Sequence, residues 1–154
     1  MRLLILAAAM LAVLCVARAQ SPTLTLTAEQ TIALRQAGQH LVGANFADMK
    51  RAVEAKVTDV KPFKANAEAI EGWFHNFPLL FPPGTETGGN TKALPTVWSN
   101  RAGFDKAAAD LRQAAQTLAR EADANDPAAF AAAFQETGKA CGACHRAFHA
   151  KVSG

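Results

Sequence analysis

A five-residue motif near the C-terminus, Cys141-Gly142-Ala143-Cys144-His145, restricts what this chain can fold into and bind. C-x-x-C-H is the attachment pattern of c-type haem, in which each thiol forms a thioether with one haem vinyl group. Residues three apart on a helix share one face, so both sulfur atoms can reach the same porphyrin edge. We therefore predict one covalent haem c per chain, attached through Cys141 and Cys144, with His145 as the axial ligand of the iron.

Two other interpretations of the paired cysteines find less support. A thioredoxin-like C-x-x-C motif belongs in a βαβ setting, and no run of residues before Cys141 shows the alternation of a strand. A zinc site requires further Cys or His residues at ligand spacing, whereas the only other cysteine is Cys15. The sequence therefore favours haem attachment over a redox disulfide or a zinc site.

The first 19 residues have the pattern of a secretory signal peptide. Met1 and Arg2 give a positive start, Leu3–Val16 is an apolar run, and Ala17–Ala19 is a small-residue cleavage site. The apolar run is too short to span a bilayer. We predict cleavage after Ala19, which would make Gln20 the mature N-terminus.

Cleavage there would remove Arg2, Cys15 and Arg18 and leave 135 of the 154 residues, the size of one domain with a single core. The formal net charge would fall by two, from +3 to +1. A nearly neutral chain offers no electrostatic basis for binding nucleic acid or an anionic membrane. Export combined with the C-x-x-C-H motif predicts a bacterial periplasmic protein, with residues 20–154 as its haem-binding domain.

The first predicted helix begins at a capping box. Thr27 and Gln30 match the S/T-x-x-E/Q pattern, which places the helix start at Thr27. Six residues then recur at spacings of four and three and define one face of a helix running to about Val57. They are Arg35, Gln39, Val42, Phe46, Met49 and Val53. The first part of this face is polar, and polar groups at core-facing positions need partners.

Three further amphipathic segments complete an all-α pattern. Their predicted bounds are Pro62 to about Asn76, Ser99 or Asn100 to near Ala124, and Asp126-Pro127 to near Val152. Residues 77–95 between the second and third helices are rich in Pro, Gly and Thr. A connection of this length is either a plain crossover or a functional loop.

Four amphipathic helices joined mostly by short turns predict an antiparallel up-down-up-down four-helix bundle. In this topology the C-terminal end of the fourth helix lies beside the start of the first. We therefore expect the haem to face Arg35, Gln36 and Gln39, which would give the polar start of the first helix its partner.

Six segments together define a family resemblance. They are Arg35-Gln36, Phe46 with Met49, Lys64-Ala65-Asn66, Pro-Gly-Thr-Glu at 83–86, Lys92-Ala93-Leu94-Pro95 with Trp98, and the C-x-x-C-H motif at 141–145. Across essentially all of its mature length, the chain resembles cytochrome c′, the class II c-type cytochromes. The C-terminal position of the motif separates this class from the common small cytochromes c, whose motif lies near the N-terminus.

The resemblance implies a homodimeric bundle with a five-coordinate, high-spin haem iron that binds nitric oxide and carbon monoxide. It implies that Arg35 and Gln36 contact the haem propionates or their surroundings. It also implies that Glu86 and Thr87 line the haem edge from the long loop. Members of the family are thought to buffer or sense nitric oxide, or to transfer electrons with a partner, in the periplasm.

Two positions depart from the family pattern. Where Gln39 stands, the family usually has a bulky apolar residue that blocks the distal face of the haem. Gln39 could fold away and leave Val42 as the lid, offer an amide hydrogen bond to a ligand or water, or be a solvated helix residue. His149 stands where the family usually has Arg or Lys; it could shape the polarity on the proximal side of the iron or be solvated.

Two other functions compete with gas binding. A six-coordinate, low-spin electron carrier would need a second protein ligand, but Met49 lies about 15 Å along the helix from Gln39. His40 is turned by about 100° from Gln39, and His75 is expected to be exposed at the end of the second helix. An enzyme would need a proton-delivering acid beside the iron, and the sequence supplies no obvious one. We therefore expect a binding protein and not an enzyme.

Overall fold

The computed structural model describes residues 25–151, which fold into helices connected by turns and one long loop. The helices are α1 (Ala28–Glu54), α2 (Lys64–Asn76), α3 (Thr96–Ser99), α4 (Arg101–Asp123) and α5 (Pro127–Phe148). Short 3₁₀ turns at Lys61–Phe63 and Phe77–Leu80 flank α2. The predicted signal peptide, with Cys15 and the cleavage site after Ala19, lies outside the described residues.

Three of the four long helices start at a side-chain N-cap that the sequence predicts. Thr27 and Gln30 form the reciprocal capping box at the start of α1. Asn100 accepts a hydrogen bond from the Gly103 backbone N–H at the start of α4. Asp126 accepts two backbone N–H bonds at the start of α5. Each cap satisfies donors that a helix N-terminus otherwise leaves unpaired.

Helix ends and the loop differ from the predicted bounds. The fourth predicted helix ends at Phe148 and not near Val152, because the next residues are extended and pair with the long loop. Ala150 N–H donates to the Lys92 carbonyl at 2.7 Å, and Leu94 N–H donates to the Phe148 carbonyl at 2.9 Å. The short helix α3, which follows the loop directly, is not predicted by the sequence pattern.

Helix α4 lies antiparallel to both α2 and α5. Lys64 at the start of α2 pairs with Asp123 at the end of α4, while Phe77 after the end of α2 contacts Phe104 near the start of α4. Phe104 also contacts Phe148 at the end of α5, with ring centroids 5.4 Å apart. These contacts confirm the predicted all-α four-helix bundle, to which α3 is an addition. Within the described residues, no helix is both long and apolar enough to cross a membrane.

Helix α1 approaches α2 closely at Gly38, where the Trp73 side chain packs against its backbone. A Cβ atom at position 38 would overlap the Trp73 ring atoms Cη2 and Cζ2. Later in α1, the Asn45 side chain accepts a hydrogen bond from Asn66, which lies earlier in α2 than Trp73, at 3.0 Å. The two contacts together show that α1 and α2 are antiparallel. The Trp73 indole N–H is buried and has no hydrogen-bond partner among the described residues. Gly38 thus provides the space that lets α1 and α2 pack.

Replacing Gly38 by alanine is expected to destabilise the protein by about 1–3 kcal/mol, because the added methyl group must displace the Trp73 ring. This cost exceeds the gain of about 1 kcal/mol that alanine brings to a helix interior. Gly72→Ala is the matched control, since a Cβ atom there meets open space, and it should be neutral or slightly stabilising. Urea denaturation measures both changes. A Gly38→Ala protein as stable as Gly72→Ala would contradict the proposed packing.

Candidate haem site

Helices α1 and α5 meet near their middles and leave a cavity between the start of α1 and the end of α5. The rings of Phe46 and Phe134 stack with centroids 4.3 Å apart. Gly138 lies so close to Phe46 that a Cβ atom there would be 3.3 Å from the ring. Beyond this contact, a cavity of about 530 Å³ lies between the two helices, within the usual size range of cofactor sites.

The wall formed by α5 carries the C-x-x-C-H motif. Cys141, Cys144 and His145 all line the cavity. Both cysteines are partly buried and free, and they are one helical turn apart, so both thiols are presented to the same cavity. The start of α3 holds the end of this helix, since Thr96 Oγ1 donates to the Ala147 carbonyl at 2.7 Å.

Burial keeps both thiols protonated. It raises the pKa of Cys141 to about 11, with a smaller contribution from nearby Cys144. Burial also raises the pKa of the Cys144 thiol. Zinc binding and disulfide exchange both depend on thiolates, and the described residues contain no cluster of three or more candidate metal ligands. The setting therefore fits neutral thioethers better than a zinc or redox site.

The surroundings of His145 favour the neutral form of its imidazole. The residue as a whole is exposed, yet partial burial of its ring lowers its pKa, and the charge of His149 lowers the pKa further. The two imidazole rings have centroids 5.3 Å apart. Because metal ions bind the neutral form of histidine, a lowered pKa suits the predicted role of axial ligand.

The opposite wall is the cavity-facing side of α1, which changes from polar to apolar along the helix. Arg35, Gln36 and Gln39 line its first part, and Val42 and Phe46 line the part nearer the contact with α5. The structure thus brings these three polar residues to the same cavity as the haem motif. Their individual contacts with haem remain predictions.

Arg35 is buried and holds the long loop. Its side chain is 3% exposed, and its guanidinium donates four hydrogen bonds. The acceptors are the Leu80 carbonyl (3.2 Å), Thr85 Oγ1 (3.0 Å), the Thr85 carbonyl (2.8 Å) and Thr91 Oγ1 (2.7 Å). The guanidinium also lies 4.4 Å from the centre of the Phe81 ring. These loop partners come from residues 45 to 56 positions away, so sequence reasoning missed them.

The charge of Arg35 is not neutralised by an ion pair within the described residues. Burial lowers the pKa of its guanidinium, and the more distant charge of Glu86 opposes that shift. A buried cation at the edge of a cavity favours an anionic occupant. A haem group, whose two propionates are carboxylates, meets this requirement.

The long loop contributes different residues from those predicted. Glu86 and Thr87 are exposed and do not line the cavity, so their predicted contact with the haem edge is untested. Thr91 and Lys92 line it instead. Gln36 supports this part of the loop, because its side-chain amide donates to the Gly89 carbonyl at 2.9 Å.

The apolar part of the remaining lining suits a flat aromatic group. It is formed by Phe74, Phe77, Phe81, Val97, Phe104, Leu111 and Phe148. Several of the rings meet edge to face, as Phe81 and Phe104 do with centroids 4.8 Å apart. Volume, apolar lining, paired thiols, a neutral imidazole and an unpaired cation together fit a covalently attached haem.

Comparison with known proteins agrees with this assignment. A family model described as cytochrome C′ matches residues 30–149. The chain is 34% identical over 121 residues to cytochrome c′ from Rubrivivax gelatinosus, covering 78% of this chain and 94% of that protein.

Solved structures of similar proteins share the fold. The crystal structure of cytochrome c′ from Thermochromatium tepidum aligns with a TM-score of 0.77 at 30% identity, covering 82% of this chain and 98% of the other. A nitric oxide complex of a leucine-to-valine variant of cytochrome c prime from Alcaligenes xylosoxidans aligns with a TM-score of 0.74 at 30% identity. That alignment covers 82% of this chain and 99% of the other.

Proposed function

Because the chain belongs to the cytochrome c′ family and carries haem c through Cys141 and Cys144, we propose that it binds nitric oxide and carbon monoxide at an open iron position. The observation that carries this proposal is the composition of the α1 wall opposite the motif. Its residues are Arg35, Gln36, Gln39, His40, Val42, Gly43 and Phe46. None is a methionine, and its one histidine is exposed, so no buried side chain there is suited to close the iron.

Haem iron held by one protein ligand supplies a coordination position for a small molecule. His145 would bind the iron from the α5 side. On the other side, Val42 and Phe46 would limit the space to small ligands and exclude water. Arg35 would compensate a propionate charge while it holds the loop that covers the site. Structures of a relative from Alcaligenes xylosoxidans with bound nitric oxide support this proposal.

Ligand titration tests the gas-binding proposal. We expect the visible spectrum of the ferrous protein to change with carbon monoxide, and both oxidation states to respond to nitric oxide. The protein for this measurement is the full holoprotein with its covalent haem. Spectra that neither gas alters would contradict the proposal.

The alternative function is a six-coordinate electron carrier. His40 is the candidate second iron ligand that this function would need, so its substitution tests the alternative. Met49 is fully buried in the core and does not line the cavity. His75 is exposed and does not line it either, whereas His40 does. A low-spin spectrum in the wild type that becomes high-spin in His40→Ala would favour the electron carrier.

We further propose a binding role and not an enzymatic one. No Asp or Glu lines the described cavity, so no carboxyl group there could deliver protons to a bound ligand. Electron exchange with a periplasmic partner remains compatible with this role.

Export to the periplasm and cleavage after Ala19 are proposed from the N-terminal sequence. Intact mass measurement of the protein purified from the producing bacterium would locate the cleavage site. A mass that retained residues 1–19 would contradict the export proposal.

A homodimer through α1 is also proposed. The sequence pattern suggests the apolar second half of α1 as a dimer surface, but its residues Val42, Phe46 and Met49 pack in or against the core. Exposed leucines on the first half offer an alternative: Leu34 is 43% exposed and Leu41, two turns later on the same face, is 67% exposed. Sedimentation of the wild type and of Leu41→Glu would test this face. A wild-type monomer, or a variant that dimerises equally well, would contradict it.

A further inference from the structure

Gln39 is the cavity-lining amide that the protein leaves without a partner. Three polar side chains nearby are engaged: Arg35 donates to the loop, Gln36 donates to the Gly89 carbonyl, and Thr91 accepts from Arg35. Gln39 lines the same cavity and takes part in no side-chain hydrogen bond within residues 25–151. Its donor and acceptor atoms are therefore available to an occupant of the cavity.

Gln39 lies on the α1 wall, which faces the C-x-x-C-H motif across the cavity. Gln39 follows Arg35 by one helical turn and precedes Val42 by another, so it lies midway along the α1 wall. The cavity separates this wall from Cys144 and His145 on α5. A planar group attached to α5 would therefore present its other face to α1.

The side chains that line the cavity do not oppose a negatively charged ligand. Arg35 and Lys92 line the cavity, and no carboxylate lines it. The half-buried Gln39 amide is thus a free donor on a wall that carries no negatively charged side chain. An incoming anion would meet no repelling side chain at the wall.

We propose that the Gln39 carboxamide donates a hydrogen bond to ligands on the distal face and gives the iron affinity for small anions in addition to neutral gases. This inference rests on the proposed open iron position. Distal donors are one of the means by which a protein selects among haem ligands. A hydrogen bond to a charged acceptor is stronger than one to a neutral acceptor, so anions gain most from the amide.

The test compares an anion and a neutral ligand in matched variants of the holoprotein. Cyanide or azide is titrated into the ferric protein, and carbon monoxide into the ferrous protein. The variants are Gln39→Leu, which removes the amide, and Gln39→Glu, which keeps the size but replaces the donor with a carboxylate. Gln113→Leu on the exposed side of α4 is the control for loss of a surface glutamine.

We expect Gln39→Leu to weaken anion binding by about tenfold to a hundredfold, the worth of one hydrogen bond to a charged group. Gln39→Glu should weaken it at least as much. Carbon monoxide affinity should change by less than about threefold, and Gln113→Leu should change neither. The infrared C–O stretch should rise in Gln39→Leu, because the lost N–H dipole no longer draws electron density toward the ligand.

Three outcomes would contradict the inference. Unchanged anion affinity together with an unchanged C–O stretch would show that Gln39 does not reach the ligand. Equal losses for the anion and carbon monoxide would show that the substitution altered the cavity generally and that the amide does not select. A wild type that binds neither ligand would overturn the proposed open site, and this inference with it.

Discussion

Replacing His145 by alanine is expected to leave a protein that still carries covalent haem but has lost its normal iron ligand. Cys141 and Cys144 form the covalent links, so the mass of the purified variant should still include haem. The neutral imidazole that we predict to bind the iron would be gone, and with it the normal spectrum. Mass spectrometry and visible spectra of the ferric and ferrous variant measure both parts of this expectation.

His149 provides the matched control for His145. Its ring lies beside that of His145, with centroids 5.3 Å apart, and it also lines the cavity. His149→Ala removes an imidazole from the same wall but leaves the predicted ligand in place, so iron coordination should persist. If His149→Ala lost the ligand and His145→Ala kept it, the axial assignment would be wrong.

Replacing Arg35 by leucine is expected to lower the free energy of unfolding by about 2–4 kcal/mol. The substitution removes four hydrogen bonds to the long loop and leaves the Leu80 and Thr85 carbonyls without this donor. Unsatisfied buried acceptors cost about 1–3 kcal/mol each, partly offset because a buried cation no longer has to be desolvated. Urea denaturation of the holoprotein measures the loss.

Two further variants interpret the loss in Arg35→Leu: one separates the geometry of Arg35 from its charge, and the other is a control at a surface arginine. Arg35→Lys keeps the positive charge but cannot reproduce a planar fork of donors, so it should lose nearly as much stability as Arg35→Leu. Arg112 pairs with Glu71 on the surface, and Arg112→Leu should cost less than about 1 kcal/mol. Full recovery of stability in Arg35→Lys would mean that charge alone, and not the loop contacts, is what Arg35 contributes.

The sequence predicts those features that are set by neighbouring residues. The capping groups Thr27, Asn100 and Asp126 act within three residues of themselves, so a local pattern is enough to recognise them. The motif at 141–145 is equally local. These short-range signals predicted the bundle and the haem attachment.

Features that depend on distant segments could not be predicted in this way. The end of α5 is determined by pairing with Lys92 and Leu94, more than 50 residues earlier. The role of Gly38 depends on Trp73 from another helix. Arg35 was assigned to the haem propionates by resemblance alone, and its four bonds to the loop appear only in the folded chain.

Electron paramagnetic resonance of the ferric protein, before and after nitric oxide, tests the open iron position most directly. Because we propose His145 as the single protein ligand and find no buried ligand on the α1 wall, we predict a high-spin signal that disappears or shifts when the gas is added. A low-spin signal that is indifferent to nitric oxide would contradict this account, because it would require a second protein ligand such as His40 to close the iron.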